Sequence, residues 1–269
     1  MKGVEGEAEI NGITIHYRSY GQGDPLLLVM GLGGNIDWWS SEFLEALAEH
    51  FQIVAFDNRG AGRSEKAAGP YSIPQMATDA AELIKHMGWS SANVAGLSMG
   101  GMIAQELALD YPDKVRSLIL MCTTSGGSDQ VLAEPEIYSI LDLPRENFSD
   151  EQIARVSLYL LFPRQFIDDN PDLMEKAVDD FCIAPISPDC FQSQLQAVAS
   201  WSVHARLCDL KHRTLIICGN QDRMIPPRNS MLLHDLIPDS RLVQMPGGGH
   251  GLTSMYPEEV AAEIIGFLS

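Results

Sequence analysis

The sequence predicts an α/β fold, a mostly parallel sheet covered by helices on both faces and interrupted by a helical insertion. Three observations carry this prediction. Short apolar runs alternate with amphipathic stretches, the runs are nearly continuous, and the rhythm breaks only between residues 125 and 205. A strand buried on both faces reads as such a continuous run, whereas a strand with one solvated face alternates apolar and polar residues.

The elements follow in chain order. Ile10, Ile13, Ile15 and Tyr17 flank Asn11-Gly12, a dipeptide suited to a tight turn, so residues 8–20 form a hairpin. Four apolar runs come next, at 26–30, 52–56, 93–96 and 117–121, each separated from the next by a long connection. Ser72 and Gln75 are spaced as a capping box around Pro74, and Met76, Ala80, Leu83, Ile84 and Met87 recur at helical spacing up to Gly88. Starting at Met99, the residues Met102, Ile103, Leu107 and Tyr111 trace a second helix that Pro112 stops.

Pro135, Pro144, Pro163, Pro171, Pro185 and Pro188 punctuate the stretch 125–205, where short helices such as 151–161 are expected. This stretch reads as a helical cap inserted between two core segments, 1–124 and 206–269. The core rhythm resumes with a strand at 214–218, a helix at 228–236, a strand at 241–245 and a last helix at 257–268.

Composition bounds the function. Hydrophobic residues make up 45% and charged residues 20%, which is ordinary globular usage over 269 residues and suits one domain with an insertion. Eighteen basic against 36 acidic residues give a formal charge of -18, a field that repels nucleic acid and anionic membrane surfaces. The five cysteines, Cys122, Cys182, Cys190, Cys208 and Cys218, are odd in number and form no C-x-x-C pair, so neither a disulfide framework nor a zinc site is expected. Met1-Lys2-Gly3-Val4-Glu5 begins no apolar leader, and the run 26–30 is too short to cross a bilayer; the expectation is a cytoplasmic protein. Self-association is left open.

The chemistry centres on Gly96-Leu97-Ser98-Met99-Gly100, a G-x-S-x-G pattern between an apolar run and a helix. The bare letters recur by chance in roughly one chain in ten of this length, so the strand-to-helix context carries the argument. A sharp turn there lifts the serine above the sheet and leaves no room for side chains two residues away. Ser98 then begins a helix, where the N–H of Met99 and the helix dipole can stabilise an oxyanion.

A serine nucleophile needs a base, and the base needs an orienting carboxylate. Of seven histidines, His234 and His250 follow the late strands. His234 falls within a predicted helix; His250 lies in the loop Pro246-Gly247-Gly248-Gly249-His250-Gly251 after the strand at 241–245, where such sheets place their chemistry. Asp222, in Gly219-Asn220-Gln221-Asp222, follows the preceding strand and is the candidate acid. The rival place, after the run 117–121, reads Cys122-Thr123-Thr124-Ser125 and offers no carboxylate.

A second oxyanion N–H is expected from Met30-Gly31-Leu32-Gly33-Gly34, with Leu32 preferred and Gly31 the alternative. Trp38, Leu158 and Phe162 are expected to line the substrate pocket. The turn Asp57 to Ser64 reads as a structural network, and the pairs Asp168-Asp169 and Asp179-Asp180 lack metal-ligand spacing.

Taken together, Gly96 to Met102, the Asp57 to Ser64 turn, Gly219 to Asp222 and Gly249-His250 resemble the α/β-hydrolase superfamily over essentially the whole chain. The likeness is narrower toward carboxylesterases, 3-oxoadipate enol-lactonases and cofactor-free haloperoxidases or perhydrolases. It implies a cap after the sixth strand. Met30-Gly31 stands where many such proteins have His-Gly.

The expected activity is hydrolysis of a small carboxylic ester or lactone through an acyl-enzyme, with no metal or organic cofactor. An enol-lactonase acting on a carboxylated substrate would need a cap arginine, Arg145, Arg155 or Arg164, pointing inward. A perhydrolase is a further enzymatic alternative, and a slow-turnover ligand sensor is the alternative from another class.

Overall fold

A computed structural model describes residues 3–269; Met1 and Lys2, part of the segment read for a leader, lie outside the described residues. Eight strands form one sheet in the order β1-β2-β4-β3-β5-β6-β7-β8. They are β1 (Val4–Ile10), β2 (Ile13–Tyr20), β3 (Asp24–Val29), β4 (Phe51–Phe56), β5 (Ala92–Leu97), β6 (Val115–Met121), β7 (Thr214–Gly219) and β8 (Ser240–Met245). The β1–β2 hairpin turns at Asn11-Gly12, with φ of 50° and 78°, and attaches antiparallel to β4. Every pairing from β4 to β8 is parallel.

Eleven α-helices, with four short 3-10 turns between elements, accompany the sheet in the described residues: α1 (Ser41–Ala48), α2 (Ile73–His86), α3 (Met99–Asp110), α4 (Pro135–Leu141), α5 (Asp150–Leu161), α6 (Arg164–Asp169), α7 (Pro171–Ile183), α8 (Pro188–Ala199), α9 (Arg228–Leu236), α10 (Leu252–Met255) and α11 (Pro257–Leu268). Ser72 caps α2 by accepting the N–H of Gln75, while the reciprocal capping box forms at α5 between Ser149 and Gln152.

Alternate residues of the parallel strands feed two cores. Leu27, Val29, Val54, Phe56, Val94 and Leu120 pack against α2 and α3 on one face. Leu26, Leu28, Ile53, Ala55, Ile119 and Ile217 pack against α1 and α11 on the other. Burial on both faces is why these strands read as unbroken apolar runs. Helices α4 to α8 all lie between β6 and β7, and α5 and α7 share a smaller core of Ile153, Ala154, Leu158, Phe162, Met174, Val178 and Phe181.

The strand order places the site. After β3 the chain crosses to β4 on one side, and β5 then pairs with β3 on the other. The crevice where the winding reverses opens at the strands' C-terminal ends, which is where ligands bind in open α/β sheets. The loops after β3 and β5 meet there.

One turn is held with unusual completeness. Arg59 makes a two-pronged ion pair with Asp79 at 2.7 and 2.8 Å, both side chains at most 4% exposed, and Asn11 donates to the same carboxylate. The Asp57 carboxylate accepts the N–H groups of Ile36 and Arg63. These bonds give the 57–64 turn the structural role its sequence suggested.

Candidate active site

Ser98 sits between β5 and α3 with φ 58° and ψ -122°, a conformation that is strained for any residue with a Cβ. The surroundings hold it there. The Ser98 N–H donates to the Met121 carbonyl at 2.8 Å, and the Ser98 carbonyl accepts from Gly101 N and from the Thr123 hydroxyl, each at 2.8 Å. A Cβ at Gly96 would collide with the Gly100 carbonyl, and one at Gly100 with the Val29 carbonyl. Both glycines are therefore required by close backbone approach.

The Ser98 hydroxyl makes no hydrogen bond to a described residue and borders a cavity of about 340 Å³. Leu32 and Met99 line the same cavity, as do Met102, Leu141 and Met224. A Cβ placed on Gly31 would lie 3.0 Å from the Ser98 Cβ, so the loop after β3 passes directly over the serine.

His250 and Asp222 stand on neighbouring loops after β8 and β7. His250 Nδ1 lies 2.7 Å from Asp222 Oδ2, and the two residues are only 3% and 4% exposed. Asp222 Oδ1 accepts the N–H groups of Met224 and Ile225, each at 2.9 Å, so both carboxylate oxygens are occupied and the side chain cannot swing. The loops are also stitched to each other: Gln221 N donates to the Gly248 carbonyl, and Gly247 N donates to the Asn220 side chain. A carboxylate on Nδ1–H selects the tautomer whose Nε2 carries a free lone pair. No hydrogen bond joins His250 to Ser98 in this state; such contacts commonly tighten when substrate arrives.

Cys122 lies at the end of β6 with φ 47°, and its sulfur is within 4.8 Å of the ligand atoms of Asp222 and His250. Among the described residues this trio is the one cluster with metal-ligand geometry. Burial, and then the Asp222 carboxylate, push the Cys122 thiol well above its usual range, which keeps it protonated. A protonated thiol is a poor metal ligand.

The chain matches the alpha/beta hydrolase fold family over residues 24–253. It belongs to that family, and it is a hydrolase. The sequence is 29% identical over 253 residues to a protein of Azorhizobium caulinodans named as a carbamate hydrolase, RutD, covering 94% of each chain. It is 28% identical to 3-oxoadipate enol-lactonase 2 of Acinetobacter baylyi, over 86% of this chain and 84% of that one. Among solved structures it resembles a thermophilic esterase from Thermogutta terrifontis, with TM-score 0.84 and 26% identity over 100% of this chain and 98% of that one. The enol-lactonase from Burkholderia xenovorans shares the fold with TM-score 0.87 at 24% identity, over 98% and 99% of the two chains. No helix of the described residues is long and apolar enough to cross a membrane.

Of the three residues expected to line the pocket, none borders the 340 Å³ cavity into which Ser98 opens. Leu158 and Phe162 border a separate hollow of about 60 Å³ and fill the core shared by α5 and α7, where packing those helices consumes their side chains. Trp38 stacks on Phe181 with ring centroids 4.9 Å apart and borders both that hollow and a second, smaller one of about 40 Å³ that adjoins the Ser98 cavity. Trp39, the neighbouring aromatic, is buried against Phe43.

Sequence reasoning missed Gln194. This fully buried residue of α8 accepts the Gly33 N–H at 2.9 Å and donates to the Arg59 carbonyl at 3.0 Å, tying the loop after β3 to the 57–64 turn. A signal existed: Gln194 is the one amide in the stripe Cys190, Phe191, Gln194, Ala197 that forms the buried face of α8. A polar residue in such a stripe needs partners across the interface. Gln194→Leu leaves both backbone groups unpaired and frees the loop expected to supply an oxyanion donor. The expected result is a kcat lowered by roughly ten- to a hundredfold, with KM less affected, because the oxyanion exists only in the transition state. Steady-state kinetics on a soluble ester measures this, and a proportional rise in KM at constant kcat would remove Gln194 from that role.

Proposed function

We propose that this hydrolase is a serine esterase that cleaves small carboxylic esters or lactones through an acyl-enzyme. The observation that carries the reading is the buried 2.7 Å pair of His250 and Asp222, fixed by backbone bonds on loops beside a serine in a strained strand-to-helix turn. Ser98 Oγ attacks the carbonyl carbon while His250 Nε2 takes the hydroxyl proton. The oxyanion is held by the N–H groups of Met99 and Leu32, at a helix N-terminus and above the serine. Collapse breaks the bond to the alkoxy oxygen, which leaves with the proton from His250. Water, deprotonated by the same imidazole, then releases the acid and restores Ser98.

Helices α4 to α8 are proposed to act as a cap that closes the site from water. The backbone supports this, since the Leu161 carbonyl accepts the N–H of Gly251 beside His250 at 2.8 Å, and Gln194 holds the loop above Ser98. A cavity of about 340 Å³ lies at the small end of the range for ligand pockets, roughly 300–1,000 Å³. Butanoyl esters are therefore hydrolysed faster than hexadecanoyl esters in kcat/KM, by about a hundredfold. Equal rates on C4 and C16 p-nitrophenyl esters in monomeric solution would show an open site. The deciding experiment for the activity is a turnover assay on a panel of simple esters with fluorophosphonate labelling, since a slow ligand sensor would be acylated without turning over.

A further inference from the structure

The three cap arginines that sequence could not separate have different fates. Arg155 is exposed and paired with Glu151 and Glu175, and Arg164 is 81% exposed beside Asp168. Arg145 turns inward. Its guanidinium carbon lies 3.3 Å over the Phe191 ring, its Nε is buried with no hydrogen-bond partner, and no carboxylate pairs with it among the described residues. Burial pulls its pKa down to about 10.

An unpaired cation is unexpected in a chain with 36 acidic residues against 18 basic ones. Arg18, Arg59, Arg63 and Arg206 all hold carboxylates. Taking a guanidinium partly out of water without a counter-charge is costly, and the fold gains no ion pair in return. The ring of Phe191 offsets part of that cost. What remains is a planar fork of donors facing a small hollow.

The hollow, about 40 Å³, is bordered by Arg145, Gly33, Trp38, Phe181 and Phe191. It adjoins the Ser98 cavity, with which it shares Leu32, Leu141 and Met224 as walls. We propose that Arg145 is a specificity residue that binds a carboxylate on the acyl portion of the substrate, so that the preferred substrates are anionic esters or lactones carrying a free acid group. The proposal rests on the esterase reading above and names its substrate class. The guanidinium matches a carboxylate in two parallel hydrogen bonds, and the adjoining Ser98 cavity receives the ester carbonyl. The shared wall includes Leu32, so an acyl chain spanning both cavities passes the expected oxyanion donor.

The test compares mono-p-nitrophenyl glutarate with p-nitrophenyl pentanoate, esters of equal chain length that differ in the terminal carboxylate. The wild-type protein is expected to favour the glutarate ester by at least tenfold in kcat/KM. Arg145→Met lowers that ratio by about fiftyfold or more, mainly through KM, and Arg145→Lys restores part of it. A ratio that Arg145→Met leaves unchanged, or a wild-type preference for pentanoate, overturns the proposal. Loss of the esterase reading shows separately, as no turnover of either ester and no labelling of Ser98. In that event calorimetric titration with glutarate decides the matter: tight binding by the wild type that weakens at least tenfold in folded Arg145→Met protein upholds the carboxylate site, and no binding to the wild type overturns it.

Discussion

Ser98→Ala is expected to lower kcat of the proposed esterase reaction by about a million-fold and to abolish stoichiometric labelling by a fluorophosphonate, while the circular dichroism spectrum and thermal midpoint stay close to wild type. The size of the loss follows from the mechanism, since removing a serine nucleophile of this kind forfeits the whole covalent route. The preserved fold follows from the structure. Ser98 is anchored by its backbone N–H and carbonyl, and its hydroxyl bonds to no described residue, so Ala removes reactivity without removing a structural contact. Alanine is also a smaller burden at φ 58° than any residue with a longer side chain. Labelling of the Ser98→Ala protein at another serine, with activity retained, would refute the nucleophile.

Asp222→Asn is expected to lower kcat by roughly a hundredfold to ten-thousandfold, with little change in stability. The hydrogen bonds around the carboxylate explain why a nearly isosteric change is so costly. Oδ1 accepts two backbone N–H groups, from Met224 and Ile225, and Oδ2 faces His250 Nδ1. An asparagine must keep its carbonyl oxygen on the two backbone donors, which turns its NH2 toward the imidazole. The histidine then accepts at Nδ1 and carries its proton on Nε2, the tautomer that cannot take a proton from Ser98. The charge that would stabilise the imidazolium is lost as well. Measured kcat near the wild-type value would remove Asp222 from the orienting role. The other acids near this part of the sequence, Asp209, Asp235 and Asp239, are exposed, and none hydrogen-bonds to His250.

These two predictions concern residues that sequence alone could nominate, and the reason is locality. The pattern around Ser98 is a strand, a turn and a helix within a dozen residues, and glycine at 96 and 100 is demanded by contacts inside that unit and with β3. Asp222 and His250 could be nominated because each directly follows an apolar strand, and a parallel sheet gathers its C-terminal loops on one edge. Their pairing depends on β7 and β8 being neighbours in parallel register, which the short connection through α9 favours.

The sequence by itself determined the parallel-strand pattern, the amphipathic helices before Gly88 and Pro112 and the helical stretch at 125–205, and it nominated the three residues proposed for chemistry, because periodicity and turn residues act over a few positions. Tertiary structure alone decided which cap side chains face the serine. Periodicity marks α5 and α8 as amphipathic but does not say what their buried faces meet. Thus Leu158 and Phe162 pack with α7 and Trp38 instead of lining the Ser98 cavity, and Gln194 reaches Gly33 from 161 residues away. The same holds for the arginines: Arg155 finds Glu175 on the neighbouring helix and stays outside, whereas Arg145, with no acid in reach, is folded in against Phe191. Contacts between elements distant in the chain are set by how whole helices dock on the sheet, and no local pattern encodes that docking.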